Sequence, residues 1–195
     1  MSPPRAHQSA FVEQLEKLAN SQDRAALAAL RRGLGKAPGT VAEMHRHVVP
    51  WLPASAPEWQ QDAYYVVAAL FAWHQGSWHR EDGAARATNL GASFARLASS
   101  VESESVESRF VALLNCHRDD LPTHLRHAVG LLKSEEIPVD WSQLLSDVQS
   151  WGLESRPVQR GWARAYWGGH PEGQPEPSPE ADGAAVAVVS PDDGD

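Results

Sequence analysis

Residues 23–35 read "DRAALAALRRGLG". Placed on a helix, Leu27, Leu30 and Leu34 share one apolar face, and Arg24, Arg31 and Arg32 fall on or beside a face of alanine. The one acid in the stretch is Asp23, at its start. Guanidinium groups held over so bare a surface suit one task above others. Their planar forks donate paired hydrogen bonds to phosphate or carboxylate oxygens. Positive charge gathers in the same way in three segments. Residues 21–46 hold Arg24, Arg31, Arg32, Lys36 and Arg46 against Asp23 and Glu43. Residues 109–133 hold Arg109, Arg118, Arg126 and Lys133 against Asp119 and Asp120. Residues 155–167 hold Arg156, Arg160 and Arg164 against no acid. The last three are four apart, so a single helix would stack them on one face, where like charges repel by about 0.2–0.5 kcal/mol per pair. Arg126, Gly130 and Lys133 share another stripe, and Gly130 would leave the backbone open between the charges.

A single Lys or Arg most often decorates a solvated face. A face built for solubility mixes both signs, however, and these faces do not. Arg also outnumbers Lys 14 to 3 in the chain. A polyanion partner accounts for arginines held together against their own repulsion. Arg96 joins the candidates on charge alone. An acidic protein surface would attract the same faces, so a helical adaptor is the alternative reading.

Other chemistries find less support. There is no glycine-rich phosphate loop and no Gly-x-Ser-x-Gly motif. Cys116, His117, His124 and His127 invite a metal reading, that of a metal-dependent helical enzyme, with His124 and His127 one turn apart. Their spacing lacks the tight pairing of zinc sites. The expectation is structural or surface histidines, Cys116 as a small core residue, and neither cofactor, metal nor catalytic group.

The elements that must carry these cations read as helix after helix. Phe11, Leu15 and Leu18 lie at helical spacing in residues 9–20. Asp23 is a candidate N-cap for the opening stretch, with Gly33 and Gly35 as stop signals. Thr40 with Glu43, and Ser55 with Glu58, form candidate capping boxes. The segment "EWQQDAYYVVAALFAWH" is apolar on nearly every side and should be central. A polar loop spans 75–89, and a short helix carries Leu90, Phe94 and Leu97. A Ser/Glu-rich link leads to "RFVALLNCH". Asp120 with Pro122 opens the next helix, Asp140 with Gln143 caps another, and a last helix runs from about Ser155. Trp141 and Trp162 face inward on their helices. No alternating strand and no repeat is present, so the expectation is an all-α, compact helical bundle of about eight helices.

The net charge of −8 divides unevenly. Residues 171–195 contain seven acids and no Lys or Arg, which leaves the rest of the chain nearly neutral. Rich in Pro, Gly and acid, this stretch reads as a disordered acidic C-terminal tail. The expected organisation is a flexible N-terminus at 1–8, an N-terminal helical part at 9–98, a C-terminal helical part at 99–167 packed on it, and the tail at 168–195. The start has no signal-peptide pattern, no run is long enough to span a membrane, and one cysteine allows no internal disulfide. Cytoplasmic location follows as an expectation.

Several modest motifs occur in a telling order: "LAALRR" at 27–32, "HVVPWLP" at 47–53, "RFVALLNCHRDDLPTHLRHAVGLLK" at 109–133, "VDWSQLLSDV" at 139–148 and "VQRGWARAYW" at 158–167. In this series the chain resembles the small subunit, the CasB family, of the type I-E CRISPR surveillance complex Cascade, from about Phe11 to Trp167. The resemblance implies a helical, non-catalytic protein. It implies two copies packed head to tail against the backbone subunits that hold the guide RNA, with the large subunit in the same complex. It further implies a basic surface that stabilises the R-loop of guide RNA and target DNA together with the displaced DNA strand. At matching motif positions it points to Arg31, Arg32, Arg109, Arg126 and Arg164. The acidic tail departs from the family pattern, so the resemblance says nothing about it.

Overall fold

A computed structural model describes residues 4–78, 88–101 and 104–168. Among them are nine α-helices: α1 (Pro4–Asn20), α2 (Arg24–Arg31), α3 (Ala42–Val48), α4 (Glu58–Trp73), α5 (Leu90–Ser100), α6 (Glu104–Asn115), α7 (Leu121–Ser134), α8 (Trp141–Ser150) and α9 (Pro157–Trp167). Single 3-10 turns follow α3 at Val49–Trp51 and precede α7 at Arg118–Asp120. The all-α expectation holds. The extended pairing present among the described residues is one bridge between Ser77 and Val139. The expected acidic tail lies outside the described residues, as does most of the polar loop.

α4 is central, as its composition demands. Its residues from Ala63 to Ala72 are buried except Val66, and it packs against α1, α2, α3, α7 and α8. A helix apolar all round is stable only when covered on every side. The second focus is the pairing of α5 with α9. A Cβ on Gly91 would lie 2.2 Å from the Trp162 carbonyl oxygen, so this close approach requires glycine. Trp162 is itself 1% exposed and donates its indole N–H to Asp147 at 2.6 Å. Trp141, equally buried, donates to the Gly76 carbonyl at 3.2 Å. One hydrophobic core runs through both halves of the chain, from Phe11 to Trp162.

Local signals differ in how well they foretell the helix ends. Asp23 caps α2 by accepting from the Ala26 N–H, and Asp140 caps α8 by accepting from the Gln143 N–H, both at 2.9 Å. The two Ser/Thr boxes do not form. Thr40 donates its hydroxyl to the Ala37 carbonyl, and α3 starts beyond Val41. Pro57, not Ser55, precedes α4. In both cases a turn upstream claims the residues that would otherwise cap. α1 reaches back to Pro4, before the first apolar repeat, and α6 takes in part of the Ser/Glu-rich link.

Candidate nucleic-acid interface

The C-terminal end of α4 organises the basic surface. A helix C-terminus presents unpaired carbonyls and the negative end of the macrodipole, so cations settle there. Arg31, at the end of α2, donates through Nε and Nη2 to the Ala72 carbonyl at 3.1 and 2.9 Å. Lys133, in the last turn of α7, donates Nζ to the Trp73 carbonyl at 2.8 Å and sits 5.3 Å from the Trp73 ring centroid. Both side chains belong to exposed residues. Arg31 keeps three of its five N–H donors for other partners.

Further cations flank this pair. Arg24 and Arg31 border a hollow of about 530 Å³ walled by Ala28, Leu27 and Gln75, which is the bare strip of the sequence made solid. Arg126, on the exposed side of α7, lines two adjoining clefts. The smaller, about 280 Å³, also has Lys36 and the Gly33–Pro38 turn. There Gly35 has φ +70°, a left-handed backbone that favours glycine, and the end of the Arg126 side chain lies over it. The larger cleft, about 700 Å³, carries Arg109, His124 and His127 with Trp73 and Leu113. Arg24, Lys36, Arg109 and Arg126 make no side-chain hydrogen bond or ion pair with another described residue.

Gly130 plays a different part from the one its stripe suggests. A Cβ there would meet the Trp73 ring at 2.9 Å, so Gly130 seats that ring between Arg126 and Lys133 instead of baring backbone. Nothing in the sequence singles out Trp73. Its place at the end of an apolar helix hides it among core aromatics.

The remaining candidates lie apart from this arrangement or are engaged elsewhere. Arg32 pairs with Glu43 at 3.3 Å, and both side chains are more than half exposed. Arg46 donates Nε to His47 on α3. Arg118 lies 4.3 Å over the Trp59 ring and donates to the Gln149 carbonyl. The triple Arg stack on the last helix does not form. α9 begins at Pro157, and Arg156 stands before it with a left-handed backbone, φ 48°. Proline at the next position ends the preceding chain's freedom to be helical, and Arg156 donates Nη2 to the Leu114 carbonyl. Arg160 and Arg164 are exposed on α9 and Arg96 is exposed on α5, each without a described side-chain partner.

The histidines and the cysteine do not converge. Among the described residues no three His, Cys, Asp or Glu side chains are placed to hold a metal ion. Burial, with Asp120 nearby, pushes the Cys116 thiol up to about 11, far from a reactive thiolate. His117 accepts from the Asp119 N–H, and His124 and His127 line the larger cleft. No helix among the described residues is long and apolar enough to cross a membrane.

Comparison with known proteins meets this geometry. The model of the CRISPR-associated protein Cse2 family matches residues 26–167. A CRISPR-associated protein Cse2 from Thermus thermophilus is 35% identical over 164 residues, covering 81% of this chain and 88% of that protein. The crystal structure of a Cse2-family protein from the same organism superposes with a TM-score of 0.71 at 35% identity, covering 86% of this chain and 99% of the other. CasB from M. ruber gives a TM-score of 0.70 at 35% identity, covering 83% and 92%. A chain of a CRISPR RNA-guided surveillance complex gives 0.70 at 32% identity, with the same coverage. The matched span holds α4, α7 and all but the first cation of the basic face, and the chain belongs to the Cse2 (CasB) family of CRISPR-associated proteins.

Proposed function

We propose that this chain is the non-catalytic small subunit of a type I-E CRISPR RNA-guided surveillance complex, and that it holds nucleic acid by its backbone. The observation that carries this reading is the convergence of Arg24, Arg31, Lys36, Arg109, Arg126 and Lys133 around the end of α4. Cations from four separate stretches of chain meet there, and among the described residues Asp119 is the one acid lining the three hollows. Arginine forks and lysine ammonium groups match phosphate oxygens, and contacts of that kind position a strand without reading its bases. In an RNA-guided complex the sequence is read by guide pairing, so a subunit that only holds strands suffices. Exchange of a DNA duplex for a guide–target duplex is nearly balanced in energy, and a few phosphate contacts can tip it. The strands held would be the guide–target region and the displaced DNA strand. Arg32, Arg46, Arg96, Arg160 and Arg164 are secondary candidates on the same reading, whereas Arg118 and Arg156 spend their forks on backbone carbonyls and are set aside. Partners would be a second copy of the chain and the backbone and large subunits.

The test is binding to random-sequence single-stranded DNA across a salt series. Each phosphate contact contributes about 0.7 to the log–log slope for single strands. Phosphate binding predicts a slope that falls with each alanine placed at the α4 end, evenly across DNA sequences. A slope near zero, or affinity that follows base sequence, contradicts the reading and leaves acidic protein as the partner of this face.

A further inference from the structure

The larger cleft, between α6 and α7, has a chemistry that phosphate alone does not explain. Its volume is about 700 Å³, and its floor is apolar, with Trp73, Phe94, Leu113 and Leu131. Arg109 and Arg126 stand at it, and among the described residues no Asp or Glu lines it. A phosphate chain pressed into such a floor would lose hydration without return. The occupant that fits is an apolar segment with carboxylates at either end.

The chain carries such a segment. Residues 184–189 read "AAVAVV"; Glu180 and Asp182 precede them, and Asp192, Asp193 and Asp195 follow. The path to the cleft is short. The described chain leaves α9 at Gly168, where Tyr166 and Trp167 pack on Phe110 with ring centroids 4.4 and 5.5 Å away. Phe110 follows Arg109 in α6 and lies 5.1 Å from Phe94 of the cleft floor. From Gly168 to Ala184 the chain can span up to about 50 Å when extended, and its mean reach as a coil is roughly 20–25 Å.

We propose that residues 180–195 dock in the α6–α7 cleft of their own chain. Val186, Val188 and Val189 would cover the apolar floor, and the flanking carboxylates would meet Arg109 and Arg126. Docking so tethered needs little intrinsic affinity, because effective concentrations over short linkers reach about the millimolar range. Two cations of the basic face would then be occupied by the protein's own acids, and a polyanion would have to displace them.

Paramagnetic broadening tests this on the full chain without nucleic acid, so it can fail independently of the proposed function. A nitroxide is placed at Ser190→Cys in a Cys116→Ser background. Expected is loss of amide signals concentrated at Ala112, Leu113 and Leu131, and its disappearance when Val186, Val188 and Val189 are all changed to Ser. Broadening that is absent, or centred elsewhere, overturns the proposal. Broadening that survives the three serines overturns it too, since the contact would then be charge alone. Amide shifts of the cleft residues, compared between the native chain and the triple-serine chain, answer the same question without altering Cys116. Identical shifts there count against docking.

Discussion

The end of α4 and the junction of α6 with α9 both hold a cation on a helix's last carbonyls. At the first, Arg31 and Lys133 bind the carbonyls of Ala72 and Trp73. At the second, Arg156 binds the carbonyl of Leu114, one residue before α6 ends. The bond is the same kind and the surroundings differ. Around α4 lie Arg24, Lys36, Arg109 and Arg126, none with a described side-chain partner. Around Leu114 lie Cys116, whose carbonyl takes the Trp151 indole N–H, and Asp120, which adds to the effect of burial in raising the Cys116 thiol. A capping cation is thus a structural part in both places, and on the proposed function only its neighbours make one of them a surface for anions.

The strongest way to break this comparison is to remove what seats α9. Trp162→Ala should cost about 3–5 kcal/mol, from the cavity and from Asp147 losing its indole partner. Urea unfolding measures it. A loss below about 1 kcal/mol would mean that α9 is held by other means. The protein that remains folded should bind single-stranded DNA with the native salt slope.

Next comes Arg31→Ala, which touches both stability and binding. Losing two bonds to a helix-terminal carbonyl should cost about 1–2 kcal/mol, and the salt slope should fall by about 0.7. Destabilisation with an unchanged slope would reduce Arg31 to a cap, like Arg156.

The α4 end also carries a pH dependence. Burial, the largest effect, holds His74 below the ordinary histidine value, and its Nε2 meets the Ile137 carbonyl at 2.7 Å. The carbonyl is an acceptor, so Nε2 carries the proton of a neutral ring. The unfolded chain takes up a proton near pH 6.5 while the folded one resists. Stability from this group is therefore full above about pH 6.5 and is lost as pH falls through the folded value. Between about pH 7 and pH 5 the native chain should lose more thermal stability than His74→Gln. Parallel losses would clear His74.

What can be seen in the sequence divides along the same line. Apolar periodicity marks α4, the inward Trp141 and Trp162, and the Asp23 and Asp140 caps, because each depends on residues within a turn or two. Arg31, Arg109 and Arg126 are marked by type and by family motif. Three things cannot be read there. Arg156 lies on helical spacing from Arg160, yet Pro157 starts the helix one residue too late for it. Gly130 and Trp73 are far apart in the chain, and their contact is a product of packing α7 on α4. His124 and His127 lie one turn apart on a helix, and nothing local shows that the fold opens them onto a cleft shared with Arg109.

The most direct measurement sets two double variants side by side in the single-stranded DNA salt series. Arg109→Ala with Arg126→Ala removes cations near the α4 end that no described side chain engages. Arg118→Ala with Arg156→Ala removes the same formal charge from side chains engaged with backbone carbonyls. The account predicts a slope reduced by about 1.4 in the first pair and unchanged in the second. Equal reductions in both pairs would show that net charge, and not the gathering of cations at the end of α4, governs binding, and would contradict it.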